Sequence, residues 1–168
     1  MSIGNAYVTR MPAGFLGQVT RQDNSLLEPG IIDTSYPPTK YGTFVKMTSG
    51  KVRTIASGDA ATDVRGIIVR PFPVQEYSSN EALDAATPDI YRPCDILKRG
   101  YVMVKFAGTT AAKGGQVNVC ISASGGGTVG DITETTDSYN VAVTNCFFTG
   151  AADTSYDSMV EVSYNIER

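Results

Sequence analysis

Residues 43–73, TFVKMTSGKVRTIASGDAATDVRGIIVRPFP, decide the fold class. Phe44-Val45-Lys46-Met47 and Val52-Arg53-Thr54-Ile55 flank Thr48-Ser49-Gly50-Lys51, where Gly50 supplies the positive φ that a tight hairpin turn needs. Ser57-Gly58-Asp59 makes the next turn, and Val64 to Arg70 has the β-branched density of a third strand. Gly66 inside that strand signals a bulge or a close backbone approach. Pro71 and Pro73 then remove two donors and end the pairing. Three strands joined by minimal turns seed an antiparallel sheet.

The pattern continues toward the C-terminus. Asp95 to Lys98 and Tyr101 to Phe106 are separated by Arg99-Gly100, which predicts a hairpin. In the second of these, Val102, Val104 and Phe106 share one face, with Met103 and Lys105 opposite. Gln116 to Ser122 places Val117, Val119 and Ile121 on one side, and Val141 to Phe148 follows. The last strand, Met159 to Ile166, alternates Val160, Val162, Tyr164 and Ile166 with Glu161, Ser163 and Asn165. The one helix signal is Ser79 to Ala86, with capping-box spacing between Ser78 and Glu81 and a stop at Thr87-Pro88. The expected fold is all-β: an antiparallel β-sandwich, jelly-roll-like, or a barrel, with an extended N-terminal arm and one short helix.

Residues 1–42 form the expected arm and 43–168 the β domain. The arm is punctuated by Pro12, Gly14, Gly17, Pro29, Gly30, Pro37, Pro38 and Gly42, yet it carries Phe15, Leu16, Val19, Leu26, Leu27, Ile31, Ile32 and Tyr36. A disordered tail would hold fewer apolar groups. The segment packs along its own body or along a neighbour; a long irregular loop of the same domain is the other reading.

Bulk composition narrows the function. Net charge is −3, with one Arg against seven acids in residues 131–168. That polarity argues against a duplex-binding protein, which needs a dense basic face. Charged residues make up 18%, below the usual quarter or so of a globular domain. Cys94, Cys120 and Cys146 include no CxxC pair, and the odd count makes no disulfide framework. The start, MSIGNAYVTRMPAG, lacks the features of a signal peptide, and no apolar run reaches membrane-spanning length. The expectation is a protein made in a reducing cytoplasm, with no membrane partner.

There is no histidine in the chain, which removes Ser-His-Asp and Cys-His catalysis and histidine metal sites. Neither a Ser-Lys nor a carboxylate pair has a favouring spacing, so no catalytic residue is named and no enzyme is expected. Gly125 to Gly130 matches GxGxxG, but phosphate binding there requires a helix to begin, and Asp131-Ile132-Thr133-Glu134 is strand-prone and acidic. Asp131, Glu134 and Asp137 lack the spacing of a calcium loop. No cofactor and no metal are expected.

The layout resembles a known family. An arm containing GFLGQVTR and LLEPGIID precedes the hairpin YGTFVKMTSGKVRTIASGD and the strand ending DVRGIIVRPFP. These stretches, within residues 12–75, are similar to the structural cement, or head-decoration, proteins of tailed bacteriophages. The resemblance implies a β-rich virion protein, made in the host cytoplasm, that binds the outside of an assembled head. Its partners would be the major capsid protein and copies of itself, with a trimer favoured and a dimer possible, and no nucleic acid. By the same resemblance Arg10, Phe15, Arg21 and Ile31 of the arm, with Arg70 and Phe72 after the third strand, would contact coat protein or a neighbouring protomer. The alternatives are another virion or tail β protein, or a carbohydrate-binding β-sandwich using Tyr77, Tyr91 and Tyr139.

Overall fold

The computed structural model describes residues 14–71, 87–123, 128–152 and 158–166. They form nine strands: β1 (Leu26–Ile31), β2 (Phe44–Thr48), β3 (Lys51–Thr54), β4 (Val64–Val69), β5 (Pro93–Lys105), β6 (Gln116–Cys120), β7 (Ile132–Thr133), β8 (Asn140–Phe148) and β9 (Met159–Asn165). The helix expected at Ser79 to Ala86 lies outside the described residues. The strands make one sheet in the order β3-β2-β4-β5-β9-β8-β6-β7, with β1 also on β5, and every ladder is antiparallel. The all-β class is therefore as expected.

The opening hairpin forms as its residues dictate. Ser49 and Gly50 both take positive φ, 53° and 75°, the pair that a two-residue turn of matching twist requires. Gly66 meets both expectations for it. The β2–β4 register shifts beside it, and an added Cβ would overlap Ile96 and the Leu97 carbonyl.

Arg99-Gly100 does not make a hairpin. The chain continues through it as the single strand β5, thirteen residues long. Gly100 adopts φ 140° with Ser25 and the Leu97 side chain close by, so it relaxes the strand where a turn was expected. The reason is that β5 changes neighbours there. Leu97 has Leu27 on one side and Ile67 on the other, whereas Arg99 has Leu26 and Asn165. One long strand thus replaces two, serving β4 with its first half and β9 with its second.

Two single-residue contacts curl the sheet. A parallel bridge joins Ile32 to Val52 and brings the end of β1 round to β3. A second, between Phe106 and Ile132, brings β7 back to the end of β5. Between them lie two cores. The smaller holds Ile32, Tyr41, Val45, Val52, Ile68, Cys94 and Ile96. The larger takes the alternate residues of the same strands, Phe44, Ile67, Val69 and Leu97, and packs them against Val102, Val104, Phe106, Val117, Val119, Val160, Val162 and Tyr164. Phe44 meets Tyr164 edge to face at 5.8 Å, and Phe106 meets Phe148 likewise at 5.6 Å. Phe44-Val45, Ile67 to Val69 and Ile96-Leu97 are thus buried on both faces, which explains why these consecutive residues are all apolar.

Cys94, Cys120 and Cys146 are buried free thiols. Burial pushes the Cys94 thiol up to about 11 and Cys146 higher still, so both are small core side chains, not nucleophiles.

Candidate docking surface

Residues 14–31 run antiparallel along β5 from its end to its beginning. Gly17 donates to the Met103 carbonyl at 2.8 Å, Met103 donates to Gln18 at 3.0 Å, and Thr20 donates to Tyr101 at 3.0 Å. A short 3-10 turn at Gln22–Asn24 follows, and β1 then pairs with β5 back to Pro93. Leu16 closes over Met103 and Met159 in a small third cluster.

Glu161 on β9 fastens this track. Its carboxylate accepts from the Thr20 hydroxyl, from Arg21 Nη2 at 2.9 Å and from the Thr149 hydroxyl at 2.5 Å. Burial alone would raise its pKa, but the Thr149 and Thr20 hydroxyls and the Arg21 guanidinium outweigh that and hold it below the usual carboxylate range. Arg21 also lies 4.0 Å over the Tyr101 ring. A second fastening holds the far end of β1. Asp33 accepts from the Ser35 amide at 2.9 Å and pairs with Arg53 at 2.6 Å, while Arg53 stacks on Tyr36 at 4.9 Å. The Ser35 amide and then Arg53 lower the Asp33 pKa.

The track turns an apolar face outward. Along β1, Glu28 and Gly30 point toward the body, where a Cβ on Gly30 would press on Val52 and Ile96. The alternate residues Leu27, Pro29 and Ile31 face out, with Leu27 42% and Ile31 63% exposed. Leu26, at the bulge, is 51% exposed, and exposed Pro93 lies opposite Ile31. These exposed apolar side chains along one strand face make it the candidate docking surface. Glu28 pairs with Lys98 at 3.0 Å.

The six contact residues named from the sequence do not gather at one place. Phe15 is exposed beside Gln18, at the Met103 end of the track. Arg70 is half-buried there, its amide donating to Gly17 at 2.9 Å and its guanidinium 5.9 Å from the Tyr41 ring. Arg21 is half-exposed, but Glu161 and Tyr101 occupy it. Ile31 stands at the opposite end of β5, among the exposed apolar residues. Arg10 and Phe72 lie outside the described residues. Sequence reasoning missed Leu26, Leu27 and Pro29 as surface and Glu161 as a fastening. The signal for the first three was the run LLEPGI, whose proline tolerates only a strand edge.

The acidic stretch after residue 130 is dispersed. Asp131 is buried, with Oδ1 lacking a hydrogen-bond partner. Glu134 binds the Thr109 and Thr110 amides, and Asp137 binds the Tyr139 amide. The described residues following Gly130 form β7 and no helix.

Comparison with curated proteins gives no match. Among solved structures, a chain in "The capsid of Myoviridae Phage XM1" superposes with a TM-score of 0.69 at 18% identity, covering 98% of each chain, which shows a shared fold. The family model described as Structural cement protein (E217 gp24/Pam3 gp6) matches residues 3–165. With nearly its whole length so matched, this chain belongs to the phage structural cement protein family.

Proposed function

We propose that this protein binds the outer surface of an assembled phage head and holds neighbouring major capsid proteins together, residues 1–42 acting as its contacting arm. The observation that carries the reading is the outward apolar face of β1, on a strand whose backbone is already paired to β5. Coat protein is the occupant this reading assigns to it, because the chain belongs to the structural cement family and the β1–β5 pairing already holds Leu27, Pro29 and Ile31 in place. Burying one such aliphatic side chain contributes about 1.5–3 kcal/mol. Copies associating as a trimer would then multiply modest contacts into avidity. The protein acts by binding, with no turnover. Because it favours the assembled shell over dissociated subunits, it stabilises the shell by mass action.

The test is thermal disruption of purified heads that lack the protein, with and without add-back. Heads should break at lower temperature without it and recover when it is restored. An unchanged disruption temperature on add-back rejects the reading. Sedimentation of the isolated protein distinguishes trimer from dimer and monomer.

A further inference from the structure

The outward face continues beyond Ile31. Ile32 is buried in the smaller core and bridges to Val52, which is buried there too. By strand alternation Ile31 and Asp33, and Arg53 beside them, lie on the opposite, outer side. The Asp33 amide donates to the Val52 carbonyl at 2.9 Å and keeps the two segments together. The chain then turns back tightly. The Asp33 carboxylate accepts from the Ser35 amide at 2.9 Å, and the Tyr36 amide donates to the Asp33 carbonyl at 3.1 Å. Thr54 donates to the Tyr36 carbonyl at 3.1 Å, so both backbone groups of Tyr36 are fixed. Its ring lies 4.9 Å from the Arg53 guanidinium, yet Tyr36 is 57% exposed.

Asp33, by contrast, is buried, and Arg53 reaches its Oδ2 with Nε at 2.7 Å and Nη2 at 2.6 Å. A buried ion pair seldom adds net stability, because desolvation offsets the attraction. What this pair supplies is orientation: a guanidinium gripped at two nitrogens, with an aromatic ring laid against it. A tyrosine held in place before docking loses little freedom when it docks. We propose that Tyr36 is a second anchor for coat protein beside Ile31, with Arg53 as its positioning residue. The inference rests on the capsid reading and extends its contact from an aliphatic strand face to an aromatic side chain. Coat protein is the occupant because the chain belongs to the structural cement family and Tyr36 continues the face assigned to that partner. The matching coat surface carries an apolar patch and, next to it, a pocket wide enough for a phenol ring.

The test measures binding of the full-length protein to purified heads that lack it. Tyr36→Ala should weaken binding about tenfold or more, the level of an interface anchor. Tyr36→Phe keeps the ring against Arg53 and should retain most of the affinity. Arg53→Lys keeps a charge for Asp33 but loses the flat guanidinium. It should weaken binding about threefold alone, the size of a cation–π contact, and no further in a Tyr36→Ala background. A merely structural Arg53 would instead give additive losses. Undiminished binding of Tyr36→Ala, equal losses in Tyr36→Ala and Tyr36→Phe, or additive losses in the double variant overturn the inference. Should Arg53→Lys fail to fold, the two Tyr36 variants, altered at an exposed ring, decide alone. If Leu27→Lys and Ile31→Lys lose binding while Tyr36→Ala does not, this anchor alone falls. If all three bind as the parent does, the capsid reading of the face falls with it.

Discussion

Gly17 and Gly42 stand backbone to backbone, with φ of 77° and 74°. A Cβ on Gly17 would lie 3.0 Å from the Gly42 nitrogen, and one on Gly42 would lie 2.7 Å from the Gly17 nitrogen. Gly17 also bonds Met103 and Arg70 through its backbone, so the crossing ties the leading track to two strands. Gly17→Ala should cost about 2–4 kcal/mol, combining left-handed backbone strain with overpacking. Urea unfolding measures this; a loss under about 0.5 kcal/mol, normal for an unconstrained surface site, would contradict it.

Glu161 is worth more than its most visible partner. Glu161→Ala strands Thr20, Arg21 and Thr149 together and should cost about 1.5–3 kcal/mol, the range for hydrogen bonds to a charged group. Arg21→Ala should cost less than about 1 kcal/mol, because its guanidinium is half in water. Equal losses for the two variants would show that the hub is a simple surface ion pair.

Asp131 works in the opposite sense to the other carboxylates. Burial raises its pKa, only partly countered by Lys40 and Lys105, and its Oδ1 has no partner. The stability tied to its protonated form is complete below its unfolded value of 3.8 and is lost as pH rises through the folded value. Asp131→Asn, which mimics the protonated form, should be more stable than the parent at pH 7 by about 1 kcal/mol. The difference should shrink on acidification. A destabilised variant at pH 7 would show that the charged form is the one the fold prefers.

Acid should nevertheless unfold the protein. Glu134 titrates at about 2 instead of 4.5, and Asp33 and Glu161 are also lowered. Groups with depressed folded values contribute stability above their unfolded pKa and lose it as pH falls through the folded one. The melting temperature should therefore drop between about pH 4.5 and pH 2. Glu134→Gln should flatten part of that drop, as calorimetry across this window would reveal.

The outer face of β1 should be separable from folding. Leu27→Lys and Ile31→Lys alter exposed side chains and should shift stability by less than about 0.5 kcal/mol. Each should weaken binding to heads by about tenfold or more, since an apolar contact is replaced by a charge that must be desolvated. Undiminished decoration by both variants would move the capsid contact elsewhere on the molecule.

What the sequence disclosed depended on how local the cause was. The β2–β3 hairpin was legible because Ser49-Gly50 encodes its own turn, and the alternation of Val160, Val162 and Tyr164 announces a one-sided core. Arg99-Gly100 misled because a glycine between two strand patterns serves a turn or a relaxed strand equally. Which it serves depends on Ser25 and Asn165, distant in sequence. Strand β1 escaped for a related reason: LLEPGI has no buried alternation of its own and is a strand only because β5 offers an edge. Glu161 carries no local signature, since Thr20 and Thr149 reach it only after folding. Of the exposed face, Ile31 was singled out from the sequence, while placing its neighbours beside it needed the β1–β5 register.

The route along β5 has a mechanical consequence. A pull arriving at Ile31 acts along β1, parallel to the strands, and so loads its ladder to β5 in shear, where the rungs share the force instead of opening one by one. From β5 the strain passes through Leu97 and Val102 into the larger core and across to β9. A cement piece wired in this way would transmit shell tension along a continuous antiparallel ladder.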